Sequence, residues 1–281
     1  MSEKIQKVLA RAGLGSRREI ETWIEAGRIK VGGAISKLGD RIEDGQTVFL
    51  DGRPLKLLKA HENRRRVLLY NKPEGEICSR RDPEGRRSVF ESLPKLKGER
   101  WIAVGRLDYN TAGLLLFTTD GELANALMHP SNQIEREYAV RVMGDVSDEA
   151  LANLLQGVML DDGMAKFSDI QPGRNERDDS INKWYYVTLC EGRNREVRRL
   201  WESQGLTVSR LKRVRYGNVF IPSKVKSGQW IELSDKEVKT VSDMANLASY
   251  EAADLLPAER RNMQRQERKA KPRRSNSKPK S

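Results

Sequence analysis

Two short stretches of this 281-residue chain concentrate side chains able to do chemistry. The first is Gly105-Arg106-Leu107-Asp108-Tyr109-Asn110-Thr111-Ala112-Gly113, which runs directly into Leu114-Leu115-Leu116-Phe117. Asp108 opens a turn between two apolar segments, so its carboxylate sits on a short, rigid connection. Asp, Asn and Gly are also ordinary turn residues. Spacing alone therefore leaves two readings: a plain turn, or a carboxylate held out as base or nucleophile. The second stretch is Glu191-Gly192-Arg193-Asn194-Arg195-Glu196-Val197-Arg198-Arg199-Leu200-Trp201. At about 100° per residue, Val197, Leu200 and Trp201 form the buried face of a helix. Arg195, Arg199 and Glu202 lie opposite, towards solvent or ligand. Arg198 falls about 60° from Trp201, at the edge of the apolar face. A half-buried guanidinium there either seeks a carboxylate or snorkels over the indole. Arg210, Lys212, Arg213 and Arg215 follow on an alternating segment, so residues 190–215 carry 8 basic and 3 acidic side chains.

Common enzyme signatures are missing. The chain has no GxGxxG, GxxxxGK[ST], GxSxG or HExxH spacing. His61 and His129 are its two histidines, and neither has an obvious partner, so acid–base work falls to Asp, Glu, Tyr or Lys. Cys78 and Cys190 lie far apart, outside any CxxC, and read as reduced thiols rather than a disulfide or zinc set. No metal is expected.

The elements that must position these residues follow from periodicity. Ile5, Val8, Leu9 and Ala12 have helical spacing, with Gly13 as a stop. Ser16 and Glu19 have the capping-box spacing for a second helix running to about residue 26. Residues 29–31 and 47–50 are strand candidates, giving a compact helix–helix–strand unit. Further on, strands are predicted at 66–71, 101–104, 114–118, 137–142 and 184–190, and helices at 122–128, 148–156, 194–204 and 235–250. Without regular βαβ alternation, this mixture favours an α+β fold with a largely antiparallel sheet. The polar run at 59–66 reads as a linker.

Charge refines the picture. The net charge is +12, which favours a polyanionic partner. Residues 1–60 hold 12 basic and 8 acidic side chains, residues 61–257 hold 30 of each, and residues 258–281 hold 10 and 2. The excess is therefore terminal. Arg17 and Arg18 occupy the first turn of the second helix, where the dipole disfavours cations but free N–H groups suit a phosphate. Lys4, Lys7 and Arg11 make the preceding helix basic as well. From residue 257 the chain is charged and polar, with no apolar run, and is expected to be disordered. No stretch approaches ~18 apolar residues, and the N-terminus lacks a signal-peptide core, so a cytoplasmic protein with no membrane association is expected.

The stretch GRLDYNTAGLLLFTTDG at 105–121 resembles a signature of the ribosomal RNA pseudouridine synthases. The group it resembles joins the A-type enzymes of small-subunit rRNA with the B-, E- and F-type enzymes of large-subunit rRNA. Asn71-Lys72-Pro73-Glu74-Gly75 with Cys78, Glu135-Arg136-Glu137-Tyr138-Ala139-Val140 and the 191–201 stretch agree with it. Residues 1–60 resemble the S4-type RNA-binding domain fused in front of such enzymes. The resemblance covers residues 1 to about 235, and the expected division is a linker at 61–66, a catalytic domain at 67–256 with its core ending near 235, and a basic tail at 257–281. It implies cofactor-free isomerisation of a flipped uridine in 23S rRNA, free or in an assembling particle, by a monomer. By the same resemblance Asp108 is the catalytic carboxylate, Tyr138 packs on the target base, and Arg198 pairs with Asp108. Lys72 and Pro73 support the cleft, and Arg106 fills the space the base vacates. Lys4, Lys7, Arg11, Arg17, Arg18, Arg195 and Arg199 are expected RNA contacts. The alternative is an inactive rRNA-binding assembly factor, against which the joint presence of Asp108, Tyr138 and Arg198 argues. Truncation after Leu256 tests the tail: loss of RNA affinity with a flatter salt dependence marks it as an RNA contact. Unchanged binding marks it as a solubilising extension.

Overall fold

The computed structural model describes residues 2–43, 45–55, 57, 65–96, 98–173 and 182–247. The expected tail at 257–281, and all but the last two residues of the expected linker at 61–66, lie outside these.

The N-terminal unit comprises β1 (Ser2–Lys4), α1 (Ile5–Arg11), α2 (Arg17–Glu25), β2 (Ile29–Val31), β3 (Ala34–Ile35), β4 (Arg41–Glu43), β5 (Val48–Leu50) and β6 (Arg53–Pro54). Its own core gathers Ile5, Val8, Leu9, Ile20, Ile24, Ile29, Ile42 and Val48. The capping box on α2 is present in both directions: Glu19 N donates to Ser16 Oγ, and Ser16 N donates to Glu19 Oε2. Lys4, expected on the first helix, is instead the last residue of β1 and the N-cap of α1. Its backbone is extended because that strand pairs with β4, Lys4 facing Arg41.

The larger unit begins with β7 (Val67–Lys72), β8 (Ile102–Val104), β9 (Ala112–Thr118), α3 (Gly121–Met128) and β10 (Arg136–Met143). It continues through α4 (Asp148–Gln156), the hairpin of β11 (Val158–Leu160) and β12 (Gly163–Ala165), β13 (Asp169–Pro172) and β14 (Asn182–Leu189). It closes with α5 (Glu196–Glu202), β15 (Thr207–Tyr216), β16 (Val219–Phe220), β17 (Trp230–Glu232) and α6 (Asp235–Met244). The sheet order is β13-β14-β10-β15-β9-β7-β17, with β8 added on β9 and β16 on β15. Among the described residues every pairing in this sheet is antiparallel except β9 with β15. The α+β class with a largely antiparallel sheet is the observed one.

The continuous apolar run at 114–117 is explained by burial on both faces of the sheet. Leu115 and Phe117 point into one core with Leu68, Tyr70, Val140 and Trp201, while Leu114 and Leu116 point into the other with Leu69, Leu127 and Val241. Side chains alternate across a strand, so one sequence feeds two layers. On the first face pack α4, through Ala150 and Leu154, and α5, through Val197, Leu200 and Trp201. On the second pack α3 and α6.

Helix α5 is shorter than the periodicity predicts. Arg195 adopts φ 49°, a left-handed conformation that blocks helix upstream. Glu196 then folds back to accept from Arg193 N. The last helix likewise ends at Met244 rather than near 250, and residues 248–250 lie outside the description.

The parallel contact of β9 with β15 is brief, Ala112 facing Lys212 and Gly113 facing Arg213. Gly113 has φ +104°, and an added Cβ would lie 2.8 Å from Arg213 N and closer still to its carbonyl oxygen. Both strain and overlap therefore demand glycine. Gly113→Ala should cost roughly 3 kcal/mol of stability, read as a lower urea midpoint at unchanged slope.

Candidate active site

Three segments converge where β9 meets β15. The connection from β8 to β9 carries Asp108. Strand β10 carries Tyr138, whose cross-strand neighbour is Arg213 on β15. Helix α5, leading into β15, carries Arg198. Gly113, Arg213 and Tyr138 thus lie in one row across three adjacent strands. Above that row opens a cleft of about 910 Å³, with Asp108, Arg106, Tyr138 and Arg213 on its walls.

The Asp108 connection is fastened from below by Lys72, the last residue of β7. This lysine is fully buried, yet no carboxylate within ion-pair distance meets it among the described residues. Its ammonium donates to the carbonyls of Pro73 (3.0 Å), Asp108 (3.1 Å), Tyr109 (3.5 Å) and Thr111 (2.9 Å). Burial pushes its pKa down, and the nearby carboxylates of Glu76 and Asp108 oppose that shift. Cys78 adds a reciprocal bond: Leu107 N donates to its sulfur (3.4 Å), and the thiol donates to Leu107 O (3.3 Å). Desolvation raises the Cys78 pKa, so the group is a thiol and can donate. A further turn bond, Thr111 N to Asp108 O, closes the loop. The backbone around Asp108 is held while its side chain is left free. The carboxylate is exposed and has no hydrogen bond or ion pair to the described residues.

The nearby segment is anchored by another buried group. Tyr70 donates to Glu76 Oε2 at 2.6 Å, and burial followed by that carboxylate pushes the phenol up to about 12. Glu76, itself buried, also meets Arg87 at 3.2 Å.

Arg198 departs from the expected geometry. It is half-buried, as its helical angle predicts, but no direct pair with Asp108 forms. Its Nη1 donates to Val208 O (2.8 Å) and its Nη2 to Asn110 O (2.9 Å), and its Nε is enclosed without a partner. The guanidinium therefore fixes the turn two residues beyond Asp108 and touches the carboxylate only through its field. Burial pushes its pKa down, Arg195 adds to that, and Asp108 opposes it. Tyr138 is buried in the cleft wall, 8% exposed, and its hydroxyl makes no hydrogen bond to the described residues.

The expected RNA contacts divide into two sets. Lys4, Arg17 and Arg18 are exposed on the N-terminal unit, and Arg106 is exposed beside Asp108; none has a carboxylate within ion-pair distance among the described residues. The others are engaged. Lys7 bridges Glu3 and Glu122, Arg11 meets Glu3 at 2.7 Å, and Arg195 meets Glu202 at 3.4 Å. Arg199 forms a two-pronged pair with Asp162, both distances 2.8 Å. Asp162 sits on the turn of the β11–β12 hairpin, which sequence periodicity does not reveal. Sequence reasoning gives no site role to Arg136 or Arg213, which are both buried in the cleft wall. The basic alternation at 210–215 is the available signal for Arg213.

Residues 66–203 match the family model described as RNA pseudouridylate synthase, and residues 3–48 match that of the S4 domain. A protein of Vibrio cholerae named ribosomal large subunit pseudouridine synthase B is 59% identical over 248 residues, spanning 88% of this chain and 76% of that protein. The chain belongs to the pseudouridine synthase family. It is therefore an isomerase carrying an N-terminal S4 domain. The Escherichia coli K12 protein of the same name is 59% identical over 249 residues, spanning 88% of this chain and 84% of its own length. A solved pseudouridylate synthase shares the fold, with a TM-score of 0.58 at 23% identity over 85% of this chain and 99% of that one.

In such a synthase the loop fastened by Lys72 must hold its geometry through the reaction. Lys72→Met leaves the loop carbonyls without their donor. The expected result is a fall of about 10²-fold in kcat with RNA affinity little changed, measured by single-turnover kinetics beside equilibrium binding.

Proposed function

We propose that this synthase converts a specific uridine of large-subunit ribosomal RNA to pseudouridine, with Asp108 as the reacting carboxylate. The names of its relatives support that substrate. The observation that carries the role of Asp108 is a free carboxylate on an otherwise fastened loop, at the mouth of a cleft walled by an aromatic ring. A carboxylate kept for structure would be paired, as Asp162 is with Arg199.

The reaction is an isomerisation. The bond from C1′ to N1 breaks, the uracil turns in the cleft, and a bond from C1′ to C5 forms. C5 gives up its proton and N1 gains one, so nothing is added or lost overall. Asp108 serves either by adding to C1′ or by removing the 2′ proton. Tyr138 offers a ring face to the extruded base and a hydroxyl unengaged by the protein for proton transfer. Arg106 is placed to enter the space the base leaves. Arg198 acts as a positioning residue through the Asn110 carbonyl and stabilises the anionic carboxylate through its field.

Capture of RNA is assigned to the N-terminal unit, taken as residues 1–60, and catalysis to residues 67–256. Lys4, Arg17 and Arg18 are the cations there that remain available to phosphates. No helix among the described residues is long and apolar enough to cross a membrane, and the enzyme is assigned to the cytoplasm as a monomer.

Wild-type protein incubated with a large-subunit rRNA transcript should leave a single new pseudouridine, mapped by chemical derivatisation and primer extension. Asp108→Asn should lower the rate by roughly 10⁴-fold while keeping affinity, because the amide retains shape without the anionic oxygen. Product from wild type on no such transcript, or undiminished product from the Asn variant, overturns the assignment.

A further inference from the structure

We propose that Arg213 and Arg136 form a seat for one backbone phosphate of the substrate strand, an assignment that rests on RNA being the substrate. Arg213 is 3% exposed and Arg136 is 8% exposed, and both line the cleft. Their guanidinium carbons each lie 5.2 Å from the centre of the Tyr216 ring. That ring is itself immobilised, 1% exposed with its hydroxyl donating to Leu127 O at 2.7 Å.

Neither arginine has an anionic partner among the described residues. Arg213 directs Nε to Leu114 O (2.7 Å), and its Nη2 is enclosed with no acceptor at all. Arg136 directs Nη1 to Cys190 O and Nη2 to the Tyr216 hydroxyl (3.3 Å). All of these acceptors are neutral. The contrast with the next arginine on the same strand is informative. Arg215 pairs with both Glu137 (2.8 Å) and Glu135 (2.9 Å), outside the cleft. The protein neutralises the outward arginine twice and the two inward ones not at all.

A guanidinium does not shed its proton, so two of them stacked on one ring remain charged and repel. Buried charge without a counter-ion is costly, and a bound anion relieves it. A neutral uracil carbonyl would satisfy a donor but not the charge, whereas a phosphodiester does both. Position agrees. Arg213 lies directly across from Tyr138 and beside Gly113, and Arg136 lies two residues before Tyr138 on β10, so the seat adjoins the ring assigned to the base.

The test is the salt dependence of binding to an rRNA transcript. Arg213→Gln should weaken binding about tenfold and lower the slope of log K against log salt by about one. Arg213→Lys should restore the slope, and Arg215→Gln should leave it unchanged. If Arg213→Gln does not fold, Arg136→Gln carries the same expectation. Wild-type protein supplies an independent arm: uridine 3′,5′-bisphosphate should bind about tenfold tighter than uridine by NMR titration. An unchanged slope in the Gln variant, or equal affinity for uridine and its bisphosphate, overturns the phosphate seat. Pseudouridine formation with an unchanged slope would remove the seat alone. A lost slope without pseudouridine formation would remove the proposed reaction alone.

Discussion

The site depends on the short parallel contact between β9 and β15. An antiparallel sheet reverses direction at every step, so neighbouring connections fall at opposite ends. A single parallel junction breaks that pattern. It brings the loop entering β9, which carries Asp108, and the helix entering β15, which carries Arg198, to the same end of the sheet. The junction needs two backbones closer than any Cβ permits, which is why Gly113 stands there. Tyr138 joins because β10 pairs with β15 at that very level, its bulge between Glu137 and Tyr138 falling beside the junction. One steric constraint thus assembles carboxylate, ring and guanidinium from three distant parts of the chain.

Around that junction the protein uses buried cations in an unusual manner. Lys72, Arg198, Arg213 and Arg136 all bind carbonyls or a hydroxyl rather than carboxylates. Each such bond orders backbone, but none cancels charge. The result is a cleft lined by uncancelled positive charge in which the Asp108 carboxylate remains unpaired. Such a field favours an anion in the cleft without occupying the oxygens of Asp108, and both remain free of protein partners among the described residues.

What is legible in the sequence is what local physics decides. Helix α4 can be read at its observed limits because Ser147 caps it and Ala150 and Leu154 repeat at helical spacing. The core strands follow from their apolar runs, and Asp108 from a signature long enough to outweigh an ordinary turn. Tertiary partners are not legible. Nothing near Arg199 announces Asp162, which lies 37 residues away on a hairpin of weakly patterned residues. Lys7 likewise finds Glu122 from 115 residues away. The Lys72 clamp escapes detail for the same reason, since three of its four acceptors lie 36 to 39 residues downstream.

Those long-range pairs alter what the net charge means. A count of basic residues treats every cation as available to RNA, but an arginine closed on a carboxylate presents little net field. In the N-terminal unit, Lys7 and Arg11 are consumed by Glu3 and Glu122, and Lys7 in so doing ties α1 to the first turn of α3. Arg100 adds a second tie, donating to Gly15 O at 3.0 Å just ahead of the Ser16 cap. These contacts fix the turn of α2 that carries Arg17 and Arg18 against the catalytic unit. Cations lost to ion pairs are therefore not wasted on the RNA side. Lys7 and Arg100 set the distance and direction between the exposed Arg17 and Arg18 and the cleft. Specificity for one uridine in a long RNA needs such a fixed span, because phosphate contacts carry position rather than sequence.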